Sequence, residues 1–359
     1  MDKRYYGIDA LRMLAMFMVV ILHVLTQGGI LNASVRFTYQ YEAGWLLQSA
    51  AFCAVDVYAL ISGYVGVSAK YRYRNIAELW LQVLFYTVSI TVLFWVLVPG
   101  SVSAMEWLKA ICPVMFNQYW YFSSYVALFL FMPLLNIILV KMEKRQLTIC
   151  IGMILFFFSF VQTLFYSDAF RINDGYSAIW LMILYLLGGY MRKYKSNENG
   201  KASRFLIGYL IIVGFTWLSK LLIEILTLHF LGQVRAGNYL ISYKSPIILL
   251  AAVCLVLFFC KINVPLFGEK MIRFLSPMAF GVYLIHTHPL VFSYLIKDRF
   301  AVFVTYPWML EILAILGTAV CINLICYVID FMRLQIFKRL HIRQKLDLFE
   351  ERMKTKILR

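Results

Sequence analysis

Apolar residues run through this chain in long unbroken blocks rather than in the alternation of a half-buried strand. Ten blocks are marked off by polar stretches: 8–27, 43–67, 76–98, 119–140, 147–166, 177–191, 205–226, 242–260, 274–297 and 309–332. Each is near the ~20 residues that a helix needs to cross a bilayer. The sixth is short and reads as tilted or lengthened by its neighbours. Aromatic residues crowd several block ends, as at Tyr119, Trp120 and Tyr121 or Tyr306 and Trp308, in the manner of interfacial belts. The pattern predicts an all-α integral membrane protein, a bundle of about ten transmembrane helices over 1–332. A basic amphipathic tail, 333–359, follows and is expected to lie on the membrane surface. The first block has a basic start, as a signal peptide does. It is too long for one and lacks a small-residue cleavage site, so it reads as a retained helix.

A few polar residues break the blocks, and they draw attention because titratable groups inside a bilayer are costly. The first block carries Arg12 and His23. Eleven positions at about 100° each return a helix to within roughly 20° of its start, so the two share a face with Ala15 and Val19. Helical rise places His23 roughly 16 Å beyond Arg12. The second block carries Asp56, counted roughly 16 Å above the block's end near Val67. The ninth carries His286, roughly 18 Å along from Phe274. Three titratable groups from three blocks thus fall at one depth. Each has a plainer reading. Arg12 suits a snorkelling interfacial cation, His23 a hydrogen-bonded packing residue, and Asp56 a structural partner of Arg12 or a protonated acid.

Composition sharpens the class. The chain of 359 residues is 62% hydrophobic and 14% charged, with a mean hydropathy of +0.77, against about 45–50% and 25% for a soluble domain. The net charge of +16 does not point to nucleic acid, because the cations sit in short loops and the tail. One set of alternate loops holds Lys3 and Arg4, then Lys70, Arg72 and Arg74, then Lys141, Lys144 and Arg145. The same set continues with Arg192, Lys193, Lys195, Lys201 and Arg204, and with Lys261, Lys270 and Arg273. The other set has one or two cations per loop. The positive-inside rule then puts both termini in the cytoplasm, with Arg12 near that face and His23 deeper. Seven cysteines lie mostly within apolar runs without regular spacing and read as small buried hydrophobes. No zinc, P-loop, dinucleotide or nucleophile-elbow motif occurs, and no metal site is expected.

The spacing Arg12-x-x-Ala15-x-x-x-Val19-x-x-x-His23 resembles the signature of the membrane-bound acyltransferase-3 family, whose members acylate surface glycans and related acceptors. Asp56-Val-Tyr58-Ala-Leu-Ile-Ser62-Gly63-Tyr64 is similar to that family's Asp-x-Phe-Phe-x-x-Ser-Gly-Phe, with matching ends and a looser middle. Asn117-Gln-Tyr-Trp120-Tyr121 followed by Met132-Pro133-Leu-Leu-Asn136 resembles its Trp-containing outer loop and Pro-Leu-Leu segment. Tyr283-Leu-Ile-His286 resembles an element near its C-terminal end. The family often has a cation soon after the glycine. Here Lys70, Arg72 and Arg74 come later, so no single counterpart is assigned.

The resemblance implies transfer of an acyl group, most often acetyl, from cytoplasmic acyl-CoA to a hydroxyl of a cell-surface polysaccharide or lipid-linked sugar. Acetyl-CoA is then a donor substrate and not a resident cofactor. The expected catalytic residues are His23, Asp56 and His286, with His23 as general base or acyl carrier and Asp56 orienting the imidazole. Donor binding is expected at Arg12, Ser62, Gly63, Arg72 and Arg74, with Gly63 breaking its helix to free backbone N–H groups for an anion. Acceptor binding is expected at Trp120, Tyr121 and Asn117. The remaining partners are membrane lipids, in a multi-pass protein of the plasma or inner membrane. Two other classes stay open. One is a proton-coupled transporter relaying through Asp56, His23 and His286, although no inverted repeat is apparent. The other is a non-catalytic partner in polysaccharide export.

Overall fold

The computed structural model describes residues 5–194 and 201–357. Lys3, Arg4 and Lys195, which entered the charge reading, lie outside them. The described residues contain helices and no strand, as the unbroken apolar blocks require. The principal helices are α1 Tyr6–Leu25, α2 Tyr39–Ala51, α3 Ala54–Gly66, α4 Tyr73–Leu97, α5 Trp120–Lys141, α6 Lys144–Leu155 and α7 Ala178–Tyr194. They continue with α8 Ala202–Leu231, α9 Pro246–Lys261, α10 Leu266–Leu275, α11 Ala279–His286, α12 Trp308–Arg339 and α13 Ile342–Ile357.

Seven helical runs among the described residues are long and apolar enough to cross a membrane, or eight if one bent pair forms a single span. The other two apolar blocks, 177–191 and 242–260, fall on the shorter helices α7 and α9. The ninth block is bent rather than straight. Its halves, Leu266–His286 and Pro289–Thr305, meet at 62°. Pro289 cannot continue the preceding helix, because it lacks an N–H and clashes with the turn before it. His288 caps the new start, its Nδ1 accepting from the Leu290 N–H at 3.3 Å. His286 therefore stands at a helix end, where the chain turns away.

Burial separates the inner from the outer helices. In Tyr6–Ala33 and Tyr39–Gly66, 67% of the apolar window is covered by protein, against 17% in Ala202–Leu231. The outer helices turn Leu218, Leu222, Leu313 and Val328 outward, as surfaces suited to lipid do. Helices α1 and α3 thus form the centre of the bundle, and α7 packs against α3 with very close backbones. A Cβ on Gly63 would lie 2.0 Å from the Tyr185 carbonyl oxygen, and one on Gly188 would lie 2.1 Å from that of Leu60. Small residues at such a crossing let dispersion contacts accumulate where hydrophobic burial gives little drive. Gly63 sits inside an unbroken α3, whose Val67 N–H still bonds to the Gly63 carbonyl at 3.2 Å. It frees no N–H groups for an anion, which corrects the expected donor role.

Two buried ion clusters fix the outer helices. On α8, Lys220 lies 2.8 Å from Glu224 and 3.6 Å from Glu42 of α2, with its ammonium over the Tyr41 ring. On α12, Asp330 accepts from Arg333, Tyr86 and Gln82. Gly281 of α11 packs directly on that carboxylate. The Asp330 cluster therefore sets the position of the helix that ends in His286.

Gly63→Val puts three carbons where the Tyr185 backbone lies. Overpacking costs about 1–3 kcal/mol where side chains can yield, and here the obstacle is backbone. The expected result is loss of the monodisperse peak in detergent size-exclusion chromatography, with Gly152→Val, which has open space at its Cβ, as the control that remains folded.

Candidate active site

His23 and His286 meet at the centre of the bundle. His23 Nδ1 lies 2.9 Å from His286 Nε2, and the rings tilt at 43° with centroids 5.1 Å apart. The bond joins α1 to the end of α11. His286 is 1% exposed, while half-buried His23 lines a cavity. The hydrogen-bond pattern assigns the protons. His286 Nδ1 lies 2.5 Å from the Val282 carbonyl oxygen, which can only accept, so Nδ1 carries the hydrogen. With both rings neutral, His286 Nε2 is an acceptor and His23 Nδ1 its donor. The remaining lone pair of the dyad is then on His23 Nε2. The edge of Phe292 packs against the His23 ring and limits its rotation.

Three cavities succeed one another along this face of α1. The first, about 180 Å³, is lined by Lys70, Arg72, Asn75, Arg12, Ser62 and Tyr125. The second, about 260 Å³, shares Arg12, Ser62 and Tyr125 with it and adds Tyr58, Tyr121 and Phe280. The third, about 230 Å³, shares those last three and contains His23. Shared walls set the three side by side in a row from a cationic end to the imidazole. Tyr58 and Tyr121 stand at the second junction. The Tyr58 hydroxyl donates to the Arg12 carbonyl at 2.8 Å, which pins one side of it.

The expected donor residues divide. Arg12 is held by Asp9 at 2.9 Å with its side chain 33% exposed, and it borders two cavities. Ser62 borders the same two, its hydroxyl donating to the Tyr58 carbonyl at 2.9 Å. Arg72 lines the first cavity and also lies 4.0 Å from Asp347 of α13. Arg74 does not line it. It forms an ion pair with Asp347 of α13, and its backbone N–H bonds to Glu350 at 3.2 Å. Arg74 anchors the tail helix and lines none of the three cavities.

Asp56 also departs from expectation. It is fully buried, with Oδ1 accepting from the Trp180 indole at 3.0 Å and Oδ2 without a hydrogen-bond partner. It bonds to neither imidazole, so it does not complete a triad. The group that orients the dyad is the Val282 carbonyl. Equal helical depth brought Asp56 into the expected constellation, but depth does not fix the direction of a side chain around the helix axis.

Trp120 and Tyr121 both line the third cavity. Asn117 is exposed on the preceding loop, with a left-handed φ of 49°, and is not part of that wall. Tyr243 and Tyr176 take its place. Tyr243 stacks on Phe52 at 4.8 Å, and Tyr176 lies 4.6 Å from Trp120. Neither had a motif to mark it. Tyr243 is delivered by a loop pinned at Lys244, whose ammonium pairs with Asp174 at 2.8 Å and whose carbonyl accepts from Ser159.

An apolar helical bundle enclosing a histidine dyad at the wall of an aromatic cavity defines a multi-pass membrane protein with a buried pair of hydrogen-bonded imidazoles. A family model described as an acyltransferase domain matches residues 5–328, and the chain belongs to this acyltransferase family. No curated protein and no solved structure matches the chain.

The proton assignment predicts nitrogen NMR of histidine-labelled protein at neutral pH in which both dyad rings carry hydrogen on Nδ1 and none on Nε2. His286→Ala should release His23 into a mixture of tautomers. A hydrogen on His23 Nε2 in the intact protein would reverse the assignment.

Proposed function

We propose that this membrane acyltransferase moves an acyl group, most simply acetyl, from cytoplasmic acyl-CoA to a hydroxyl of a cell-surface polysaccharide or lipid-linked sugar. The observation that carries this reading is the series of three cavities. A CoA ester is long and polar at one end, with its reactive carbonyl at the other. Arg72 and Lys70 border the cavity at the end suited to its phosphates, where charge-assisted hydrogen bonds are strongest. The narrower pantetheine arm fits the passage beyond Arg12 and Ser62, and the thioester reaches the third cavity.

There His23 acts as general base. Its Nε2 accepts the proton of the acceptor hydroxyl while that oxygen attacks the thioester carbonyl. The new C–O bond forms, the C–S bond breaks, and the proton passes from His23 to the departing thiolate. His286 acts through His23, holding Nδ1 so that the Nε2 lone pair is available. The imidazolium formed at His23 keeps its Nδ1 hydrogen bond throughout. Trp120 and Tyr121 belong to the acceptor side. Asp56 has no step, and without contact to either imidazole it does not support a proton relay for a transporter.

The proposed topology has ten spans with α7 and α9 included, both termini in the cytoplasm, and the dyad reached from the cytoplasm through the first cavity. The support is the alternation of basic and cation-poor loops. The membrane would be the plasma or inner membrane.

His23→Ala should lower acetyl transfer by about 10²–10⁴-fold with unchanged acetyl-CoA affinity. Arg72→Ala should raise the KM for acetyl-CoA, roughly 3–10-fold for one hydrogen bond, with little change in kcat. Near wild-type transfer by His23→Ala would remove the mechanism. For topology, a single cysteine at Arg145 should react with an impermeant maleimide only after the membrane is opened, and labelling of intact cells would invert the orientation.

A further inference from the structure

The third cavity contains a polar group that the proposed chemistry leaves unused. Gln48 of α2 is 5% exposed and lines the wall that also carries His23. Its Oε1 is enclosed, with no hydrogen-bond partner among the described residues. A buried amide oxygen without a partner is costly and calls for an explanation. Ser49 and Trp45 of the same helix also carry unpartnered atoms, but they do not line this cavity. Gln48 alone among the three faces a space that a ligand can enter.

The rest of the wall limits what that ligand is. Trp120 and Tyr243 lie nearly parallel at 21°, and Tyr243 stacks on Phe52 at 28°. Such a wall suits the apolar C–H face of a pyranose, and its few polar groups would meet the hydroxyl rim. At about 230 Å³, the space is below the ~300–1,000 Å³ of pockets that enclose drug-sized ligands. It holds one ring and not a run of them.

Building on the acyl-transfer reading, we propose that the third cavity is a one-ring acceptor site and that Gln48 recognises a second polar group of that ring. His23 takes the proton of the reacting hydroxyl. The Gln48 amide turns about its soft last torsion to bring the enclosed oxygen to the cavity, and Oε1 then accepts from another hydroxyl or an amide N–H on the same sugar, which fixes which hydroxyl faces the donor. The acceptor is thus a terminal or lipid-linked single sugar, presented with at least one hydrogen-bond donor besides its nucleophile. Gln48 is a specificity residue rather than part of the proton path.

The test offers purified protein labelled acetyl-CoA with a panel of methyl hexopyranosides, including deoxy analogues and methyl N-acetylglucosaminide. Product formation and hydrolysis of the thioester by water are followed separately. At least one monosaccharide should be acetylated. Gln48→Leu should raise its KM roughly 3–10-fold with little change in kcat, and should not lower the melting temperature. One deoxy analogue should lose the same factor with the wild type and nothing further with Gln48→Leu, showing that the two changes remove one contact. Gln48→Glu keeps an acceptor oxygen and should bind the sugar better than Gln48→Leu does. If that variant misfolds, the deoxy series with the wild type still reads the second contact. Equal KM values for wild type and Gln48→Leu, or a deoxy series without a sensitive position, overturn the role of Gln48. Acetyl-CoA hydrolysis with no monosaccharide accepted overturns the one-ring site while acyl transfer stands. No turnover of acetyl-CoA with any acceptor, water included, overturns the acyl-transfer reading itself.

Discussion

The hydrogen bond between His23 and His286 is the constraint on which the rest of the structure depends. It joins two helices from opposite ends of the sequence inside the bundle, and it operates only if both helices are held to fractions of an ångström. The bundle supplies that hold from several sides. Helix α1 is enclosed on most faces by α3, α9, α11 and α12. The Asp330 cluster seats α11 through Gly281, and the Tyr119 hydroxyl donates to the Leu284 carbonyl at 2.8 Å, two residues before His286. The break at Thr287–Pro289 then turns the chain away, so no further helical turn covers the imidazole. The local cost of ending a helix in an apolar bundle is offset by His288, which caps the segment that follows.

The series of cavities follows from the same packing. Where α3 and α7 meet through small residues, backbones touch and no space remains. Where α1 and α3 carry Arg12, Ser62 and Tyr58, polar atoms line a gap. Charge decreases along it, from Lys70 and Arg72 through Arg12 to neutral rings around His23. In the proposed reaction, a substrate with anionic and apolar ends would be oriented by that gradient before any specific contact forms. Excluding water from the far end strengthens every hydrogen bond made there.

Much of this was legible in the sequence, and the parts that were not share a cause. Helical periodicity put Arg12 and His23 on one face, because both lie on one regular helix and the arithmetic needs no partner. The short Tyr283-to-His286 element brought His286 to attention through its resemblance to a family. Asp56 and Gly63 stand out in the sequence, but the packing gives them other roles than those expected. Spacing gives depth, but the side that Asp56 faces depends on Trp180, 124 residues away, and the reason for Gly63 is the backbone of α7. Asp347 of the tail helix lies beside both Arg72 and Arg74, and the two part only because Arg72 also lines the first cavity. Gln48, Tyr176 and Tyr243 left no trace, since their meaning arises only when three distant segments close around one space. The bend after His286 could have been read from Pro289, whose effect on a helix is local.

The central claim is that one passage leads from the cationic end to His23 and that a CoA ester occupies it. A cryo-electron microscopy structure with a non-hydrolysable acetyl-CoA thioether tests this directly. Nucleotide density is expected beside Arg72 and Lys70, the pantetheine arm between Tyr58 and Tyr121, and the acyl carbonyl in the third cavity beside His23. An acceptor oxygen poised to attack that carbonyl should then lie within hydrogen-bond reach of Nε2, about 3 Å. Density for the nucleotide at the Trp120 end, or a ligand that stops short of Tyr58 and Tyr121, would contradict it.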